Sequence, residues 1–211
     1  SHQFLLLELK DKIAPALLGS IEDIYELTPV QKGILFHSLY DSENGLYLFQ
    51  DTFTLKTLLK IDAFEQAWQQ VIQRHTILRT GFYWEDVEQP LQVIYKQVEV
   101  TLEHHDWRGI EVEQKQEQLN SFLKRDRANS FDLAQPCPMR LTLFRLADDI
   151  YELIWSRHFI VADGWSIPLL LNEVVQIYQG ICKEQELSLA PSTPFRSYID
   201  WLQKQDTSQA E

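Results

Sequence analysis

The sequence is poor in cysteine and in basic residues, and each shortage excludes a class of protein. Only two of its 211 residues are cysteines, which rules out a scaffold held together by many disulfides. Cys137 and Cys182 lack metal-ligand spacing, so we expect two reduced thiols. Lysines and arginines number 19 against 31 aspartates and glutamates, giving a formal net charge of -12. That balance argues against nucleic acid or an anionic membrane as the main partner, because both require a basic surface.

Long hydrophobic runs are also missing. No segment approaches the roughly 20 apolar residues of a membrane-spanning helix. Residues 4–7 are a short apolar patch among charges, unlike a signal peptide. We therefore expect a cytoplasmic protein without a membrane anchor. What the sequence does contain is 45% hydrophobic residues and six tryptophans, enough to bury a sizeable core.

The first twenty residues are predicted to precede the domain proper. Phe4 to about Ala14 has the spacing of a short helix, which Pro15 would break. Gly19 then marks a turn. We interpret residues 1–20 as a linker or docking segment.

Helical and strand patterns alternate over the rest of the chain, as judged from apolar spacing and turn residues. The predicted elements, in order, are a helix capped by Thr28, a strand over 47–55 whose apolar face is interrupted by Asp51, a helix capped by Asp62, one or two strands over 91–102, a helix over 111–129, a strand over 140–146, a hairpin turn at Asp148-Asp149, a strand over 150–158, and helices over 167–183 and from 193. This mixture predicts an α/β fold, a mixed β-sheet flanked by helices with residues 150–158 as its central strand.

The candidate chemistry lies between the strand at 150–158 and the helix at 167–183. His158, Asp163 and Gly164 stand in this connection, and a loop on a rigid scaffold is a frequent position for catalytic residues. A histidine at a strand end is equally consistent with a buried structural residue, so spacing alone leaves both interpretations open. A second cluster, residues 104–106 (His-His-Asp), has no further metal ligands nearby. We interpret that cluster as a loop.

Residues 156–166 resemble the core motif of the condensation domains of nonribosomal peptide synthetases. That motif has two adjacent histidines, three variable residues and Asp-Gly, often followed by Trp-Ser. Aligned on Asp163-Gly164, His158 takes the first histidine and Phe159 takes the second. The family relies on the second histidine for catalysis, so this sequence departs from the pattern at its most consequential position.

Three further stretches resemble signatures of the same family, in the same order. Residues 25–37 resemble the first signature, and their ending Gly33-Ile34-Leu35-Phe36-His37 resembles the subtype that accepts a D-configured donor. Residues 74–82 resemble the second signature. The stretch from Thr193 resembles the point at which the family's first lobe passes into its second.

The resemblance implies one lobe of a two-lobe fold similar to chloramphenicol acetyltransferase. Residues 21–190 would form the N-terminal lobe, and residues 191–211 the crossover into a second lobe. The implied reaction joins a donor acyl or peptidyl thioester to an acceptor aminoacyl amine, both carried on the phosphopantetheine arms of carrier proteins. The implied partners are those carrier proteins, the second lobe and neighbouring synthetase domains, with no metal and no cofactor bound by the domain itself.

The resemblance also implies roles for individual residues. Phe159 takes the position of the catalytic histidine, beside His158, Asp163 and Gly164, while Asp163 forms a structural ion pair with an arginine, for which Arg79 is the candidate. An imidazole can accept a proton from the attacking amine, but a phenyl ring cannot. Whether the domain is an enzyme therefore stays open, and we expect the 211-residue chain alone to be inactive. The alternatives are a non-catalytic relative that recruits partner proteins, and an epimerase or another acyltransferase.

Overall fold

The computed structural model describes residues 2–41, 47–161 and 167–184, and within them helices alternate with strands. The helices are α1 His2–Leu9, α2 Pro15–Leu18, α3 Pro29–Tyr40, α4 Ile61–Arg74, α5 Val112–Ala128 and α6 Ile167–Cys182, with a 3₁₀ helix over Thr76–Arg79. The strands are β1 Ile21–Glu26, β2 Leu48–Lys56, β3 Thr80–Tyr83, β4 Leu91–Tyr95, β5 Leu102–Asp106, β6 Met139–Ala147 and β7 Ile150–His158. The predicted α/β class is confirmed.

The strands form two sheets. The larger has the order β2-β7-β6-β5 and is mixed, because β5 runs parallel to β6 while the other pairs are antiparallel. This is the predicted mixed sheet. A second, antiparallel sheet has the order β1-β4-β3, and its strand β3 carries the end of the second signature.

Strand β7 is the predicted central strand. It pairs with β2 on one side and with β6 on the other, and every residue from Tyr151 to His158 is buried. The two-residue connection Asp148-Asp149 joins it to β6 as the predicted hairpin. Burial on both faces explains why the strand reads as a nearly continuous apolar run.

The main core lies between the larger sheet and helices α4 and α6. Trp68 of α4 meets Trp155 of β7 nearly edge to face, with ring centroids 5.2 Å apart. The other apolar residues predicted for α4, Phe64, Val71 and Ile72, are buried as well. A buried aromatic pair of this geometry contributes about 0.5–1.5 kcal/mol beyond its area, so the two tryptophans fix α4 against β7.

Two helix boundaries differ from those predicted. Helix α1 ends at Leu9, not near Ala14, because Leu9 and Ile13 both turn into the main core. Pro15 begins α2 instead of ending α1, which is a position that suits proline. Asp62 does not cap α4, since the helix starts one residue earlier without a side-chain cap. Asp62 lies in the first turn, where a carboxylate favours the helix dipole.

Residues 104–106 lie in β5 and not in a loop, which corrects the prediction for this cluster. Strand β5 is an edge strand among the described elements, and charged or polar side chains are common on edges. The ring of His105 stacks on Phe144 with centroids 5.2 Å apart. Polar residues on an exposed edge hide the alternating apolar pattern by which strands are recognised.

Membrane helices and metal clusters do not occur in the described part of the chain. None of its helices has both the length and the apolar character needed to cross a bilayer. No three potential metal-ligating side chains come together there. Cys137 and Cys182 are free thiols.

Asp126 ties helix α5 to three strands of the larger sheet. It is the one buried residue of this mostly polar helix. Its carboxylate accepts hydrogen bonds from Nε2 of Gln50 on β2 at 2.7 Å, from Nε of Arg140 on β6 at 2.9 Å, and from Oγ of Ser156 on β7. Three donors compensate the desolvation of one buried carboxylate, so α5 is held mainly by this polar hub.

Replacing Asp126 by alanine should lower the free energy of unfolding by about 3–5 kcal/mol, because it leaves Arg140 with an uncompensated charge against the sheet. Chemical denaturation measures this change. Glu117→Ala, on the exposed side of the same helix, is the matched control and should change stability by less than about 0.5 kcal/mol. Equal effects of the two substitutions would show that the hub does not hold α5.

Candidate active site at the end of strand β7

Strand β7 ends at His158, and the chain turns at Phe159. Side chains alternate along a strand, so His158 shares the face of Ser156, which is the face covered by α5. The ring of Phe159 instead packs against Phe49 at 5.3 Å, and Phe49 is the cross-strand partner of Arg157. The two motif side chains therefore lie on opposite faces of the larger sheet.

His158 is buried and neutral. Only 7% of its surface is exposed, and this burial lowers the pKa of its imidazole to about 4. Its Nδ1 accepts a hydrogen bond from the backbone N–H of Ile160 at 3.0 Å, so the proton of the neutral ring is on Nε2. In this state His158 is a hydrogen-bond donor at Nε2 and a poor proton acceptor at neutral pH.

Phe159 lies in a small aromatic cluster at the end of β7. Its backbone N–H donates to the carbonyl oxygen of Tyr47 at 2.7 Å. Its ring lies 6.4 Å from that of Tyr47 and 5.3 Å from that of Phe49. These neighbours supply apolar contact, and the phenyl ring itself offers no group that takes up a proton.

Arg157 and Asp51 form an ion pair that was not predicted from the sequence. The guanidinium is 4% exposed and donates from Nη1 to Oδ2 of Asp51 at 2.6 Å. It also lies over the ring of Trp155 at 4.5 Å, a favourable cation–π distance. The signal for this pair was present in the sequence, because each of two adjacent strands carries one charge, of opposite sign, on an otherwise apolar face.

The first two residues of the second signature hold the helix that follows the motif. Nε of Arg74 and Nε2 of His75 lie 3.3 Å and 2.7 Å from Oε2 of Glu173 on α6. Burial alone would raise the pKa of Glu173, but the hydrogen bonds from Arg74 and His75 outweigh it and lower that pKa. Because α6 begins just after the motif, this contact fixes one end of the motif connection.

Arg79, the candidate partner of Asp163, is buried at the end of the 3₁₀ helix. Its Nη1 donates to Oε2 of Glu22 at 2.8 Å and to the backbone carbonyl of Tyr95. Asp163 and Gly164 lie outside the described residues. The pair between Asp163 and Arg79 therefore stays a prediction.

The neutral state of His158 predicts a pH dependence of stability. Unfolded His158 binds a proton with the ordinary pKa of about 6.5, whereas the folded residue does so only near pH 4. The unfolded state thus binds more protons between these values, so the free energy of unfolding should be highest above pH 6.5 and fall by about 3 kcal/mol on acidification to pH 4. Denaturation across this range in the parent and in His158→Gln isolates the contribution, because the variant lacks the titrating ring. Identical pH slopes in the two proteins would contradict the assignment.

Comparison with known proteins adds the family to this geometry. The profile of the family described as Condensation domain matches residues 21–211. One of the linear gramicidin synthase proteins of Brevibacillus parabrevis is 44% identical over 191 residues, which are 90% of this chain and 4% of the relative. One of the mycosubtilin synthase proteins of Bacillus subtilis is 44% identical over 195 residues, 92% of this chain and 7% of the relative. The chain thus spans a small part of the curated relatives that it matches.

Solved structures share the fold at low sequence identity. The starter condensation domain of rhizomide synthetase RzmA has a TM-score of 0.76 at 18% identity, covering 90% of this chain and 46% of that one. The first condensation domain of the calcium-dependent antibiotic synthetase, in complex with substrate analogue 3a, has a TM-score of 0.77 at 17% identity, with the same two coverages. These likenesses concern the fold, and they extend over just under half of each solved chain. Together with the profile match over residues 21–211, they show that the chain belongs to the condensation-domain family of nonribosomal peptide synthetases.

Proposed function

We propose that this chain is the N-terminal lobe of a condensation domain that joins a donor acyl or peptidyl thioester to an acceptor aminoacyl amine, both delivered by carrier proteins. The family match over residues 21–211 carries this proposal. In the reaction the amine nitrogen attacks the thioester carbonyl, the C–N bond forms and the C–S bond breaks. The nitrogen loses a proton, and the carrier thiol is released.

The residue at position 159 decides how that proton leaves. A histidine here would accept or position the proton, an effect of roughly 10²–10⁴ in rate. Phe159 provides no acceptor, and His158 faces the other side of the sheet with a strongly lowered pKa. A domain with Phe159 therefore depends on water or on the amine's own ionisation for this step.

A non-catalytic role is the second candidate, and Phe159 is the observation that favours it. Such a domain would keep the fold and the surfaces that meet carrier proteins and neighbouring synthetase domains. Its family signatures at residues 25–37 and 74–82 would then be retained for structure. The two candidates differ in whether carrier-bound substrates are joined at all.

Phe159→His should increase single-turnover amide formation at least about tenfold when placed in the complete two-lobe domain. Phenylalanine and histidine have planar rings of similar breadth, so we expect the substitution to fold without much repacking. The assay uses carrier proteins loaded with donor and acceptor, and quantifies the amide product. Parallel assays with D- and L-configured donors test the subtype indicated by Gly33-Ile34-Leu35-Phe36-His37.

Two controls make this assay decisive. The 211-residue chain alone, with either residue at position 159, should give no product, because it spans under half of a solved condensation domain chain. If the Phe159 parent is as fast as the histidine variant, proton removal does not depend on this position. If neither protein forms product while both bind carriers, the recruiting role is favoured.

We further propose that Asp163 pairs with Arg79 and acts in structure. Arg79 is 4% exposed, and removing one partner of a buried pair costs about 3–5 kcal/mol. Asp163→Ala should therefore clearly lower the melting temperature. Glu22→Ala removes the other carboxylate beside Arg79 and is the comparison variant. A melting curve unchanged by Asp163→Ala would show that Arg79 does not depend on this aspartate.

We also propose a cytoplasmic domain that binds no cofactor of its own, with substrates arriving on phosphopantetheine arms. The net charge of -12 supports a protein that avoids anionic surfaces. Mass spectrometry of the natively folded chain tests the first part, and fractionation of the producing cells the second. A tightly held small molecule, or recovery of the protein in the membrane fraction, would contradict this proposal.

A further inference from the structure

A cavity of about 280 Å³ lies beside the end of β7 and is lined by His158. Its other walls come from the end of α3, from Tyr47 and Leu48, from Trp84 and from residues 127–133. Small-molecule sites usually measure about 300–1,000 Å³. This cavity lies just below that range, so it suits one small group and not a peptide.

One wall of the cavity is held in place by backbone contacts. The N–H of Phe82 donates to the carbonyl oxygen of Leu133 at 2.7 Å. This approach requires glycine at position 81, because a Cβ there would lie 2.7 Å from the carbonyl oxygen of Ala134, closer than real Cβ contacts allow. The cavity is therefore bounded by a fixed wall and not by a freely moving loop.

Nε2 of His158 is the polar atom of this cavity that needs a hydrogen-bond acceptor. Nδ1 already accepts from Ile160, so Nε2 carries the proton and can only donate. No acceptor for it occurs among the described residues, although His158 is 93% buried, being 7% exposed. Leaving a buried donor unpaired is costly, and a carbonyl oxygen is the common acceptor that would satisfy it.

The remaining walls define the rest of the ligand. Three apolar side chains line the cavity: Leu39, Trp84 and Leu133. Three charged side chains also line it: Asp41, Asp132 and Arg127. Two carboxylates and one guanidinium sum to a single negative charge, which attracts an ammonium group and opposes a free carboxylate.

We propose that this cavity is a binding site for an aminoacyl group with an apolar side chain. Its carbonyl oxygen accepts the hydrogen bond from Nε2 of His158, its side chain lies against Trp84, and its ammonium group lies toward the carboxylates. Because His158 and Phe159 face opposite sides of the sheet, the bound group is held beside the position of the reaction and not at it. The inference rests on the walls of the cavity and is independent of amide formation.

Titration of L-leucinamide into the isotope-labelled 211-residue chain tests the site. L-leucinamide has the ammonium group, the neutral carbonyl and the apolar side chain of an aminoacyl thioester. NMR should show saturable shifts of the His158 imidazole and the Ile160 amide, with a dissociation constant on the order of 1 mM for so small a probe. L-leucine and isopentylamine should bind at least about tenfold more weakly. The first adds a carboxylate, and the second lacks the carbonyl.

Two alanine substitutions provide a matched pair. Ala128→Phe fills the cavity from the exposed end of α5 and should abolish the shifts. Ala16→Phe, on the exposed side of α2, should leave them unchanged. His158→Phe keeps a ring but removes the donor, and should weaken binding about tenfold. If that variant does not fold, the alanine pair still decides the question.

Three outcomes would overturn the proposal. They are no saturable shift in the folded parent, equal behaviour of the two alanine variants, and leucine binding as tightly as leucinamide, which would indicate free amino acids instead. Because this binding assay contains no carrier proteins, its failure leaves amide formation untouched. An inactive two-lobe domain would likewise leave a positive binding result standing.

Discussion

Strand β7 lies between two antiparallel neighbours and is covered on both faces, so each polar side chain on it needs a partner inside the protein. Ser156 finds Asp126 on α5, Arg157 finds Asp51 on β2, and Glu152 accepts from Thr54 at 2.9 Å. Each of these bonds links β7 to a different part of the fold or to a different position on it. The strand that carries the motif is therefore fixed along its length before the motif begins.

The same burial separates the two motif positions chemically. His158 lies on the face held by Asp126 and is neutral, with one ring nitrogen occupied by a backbone N–H. Phe159 lies on the face of Arg157, among aromatic rings. A strand geometry that places neighbours on opposite faces leaves no way for the first histidine to take over the task of the second. The loss of an imidazole at 159 is thus a loss at the site and not a rearrangement of it.

The central strand, its hairpin and the apolar face of α4 were predictable, because each depends on apolar spacing within one segment. The Arg157–Asp51 and Asp126 contacts were not, since residues far apart in the chain meet only after the sheet has its register. The strand at residues 104–106 was missed because edge strands tolerate charge. The motif itself was recognisable from the sequence, but the neutral state of His158 depends on burial, which no local pattern reveals.

Positions 158 and 159 lie in separate environments on opposite faces of the sheet, and the chemistry of the site depends on this separation. NMR titration of the imidazole rings in Phe159→His tests it directly, and two independent titrations are expected. His158 should stay neutral down to about pH 4, as in the parent, while the introduced ring titrates near its ordinary pKa of about 6.5. Coupled titration of the two rings, or direct contacts between their protons, would contradict the separation.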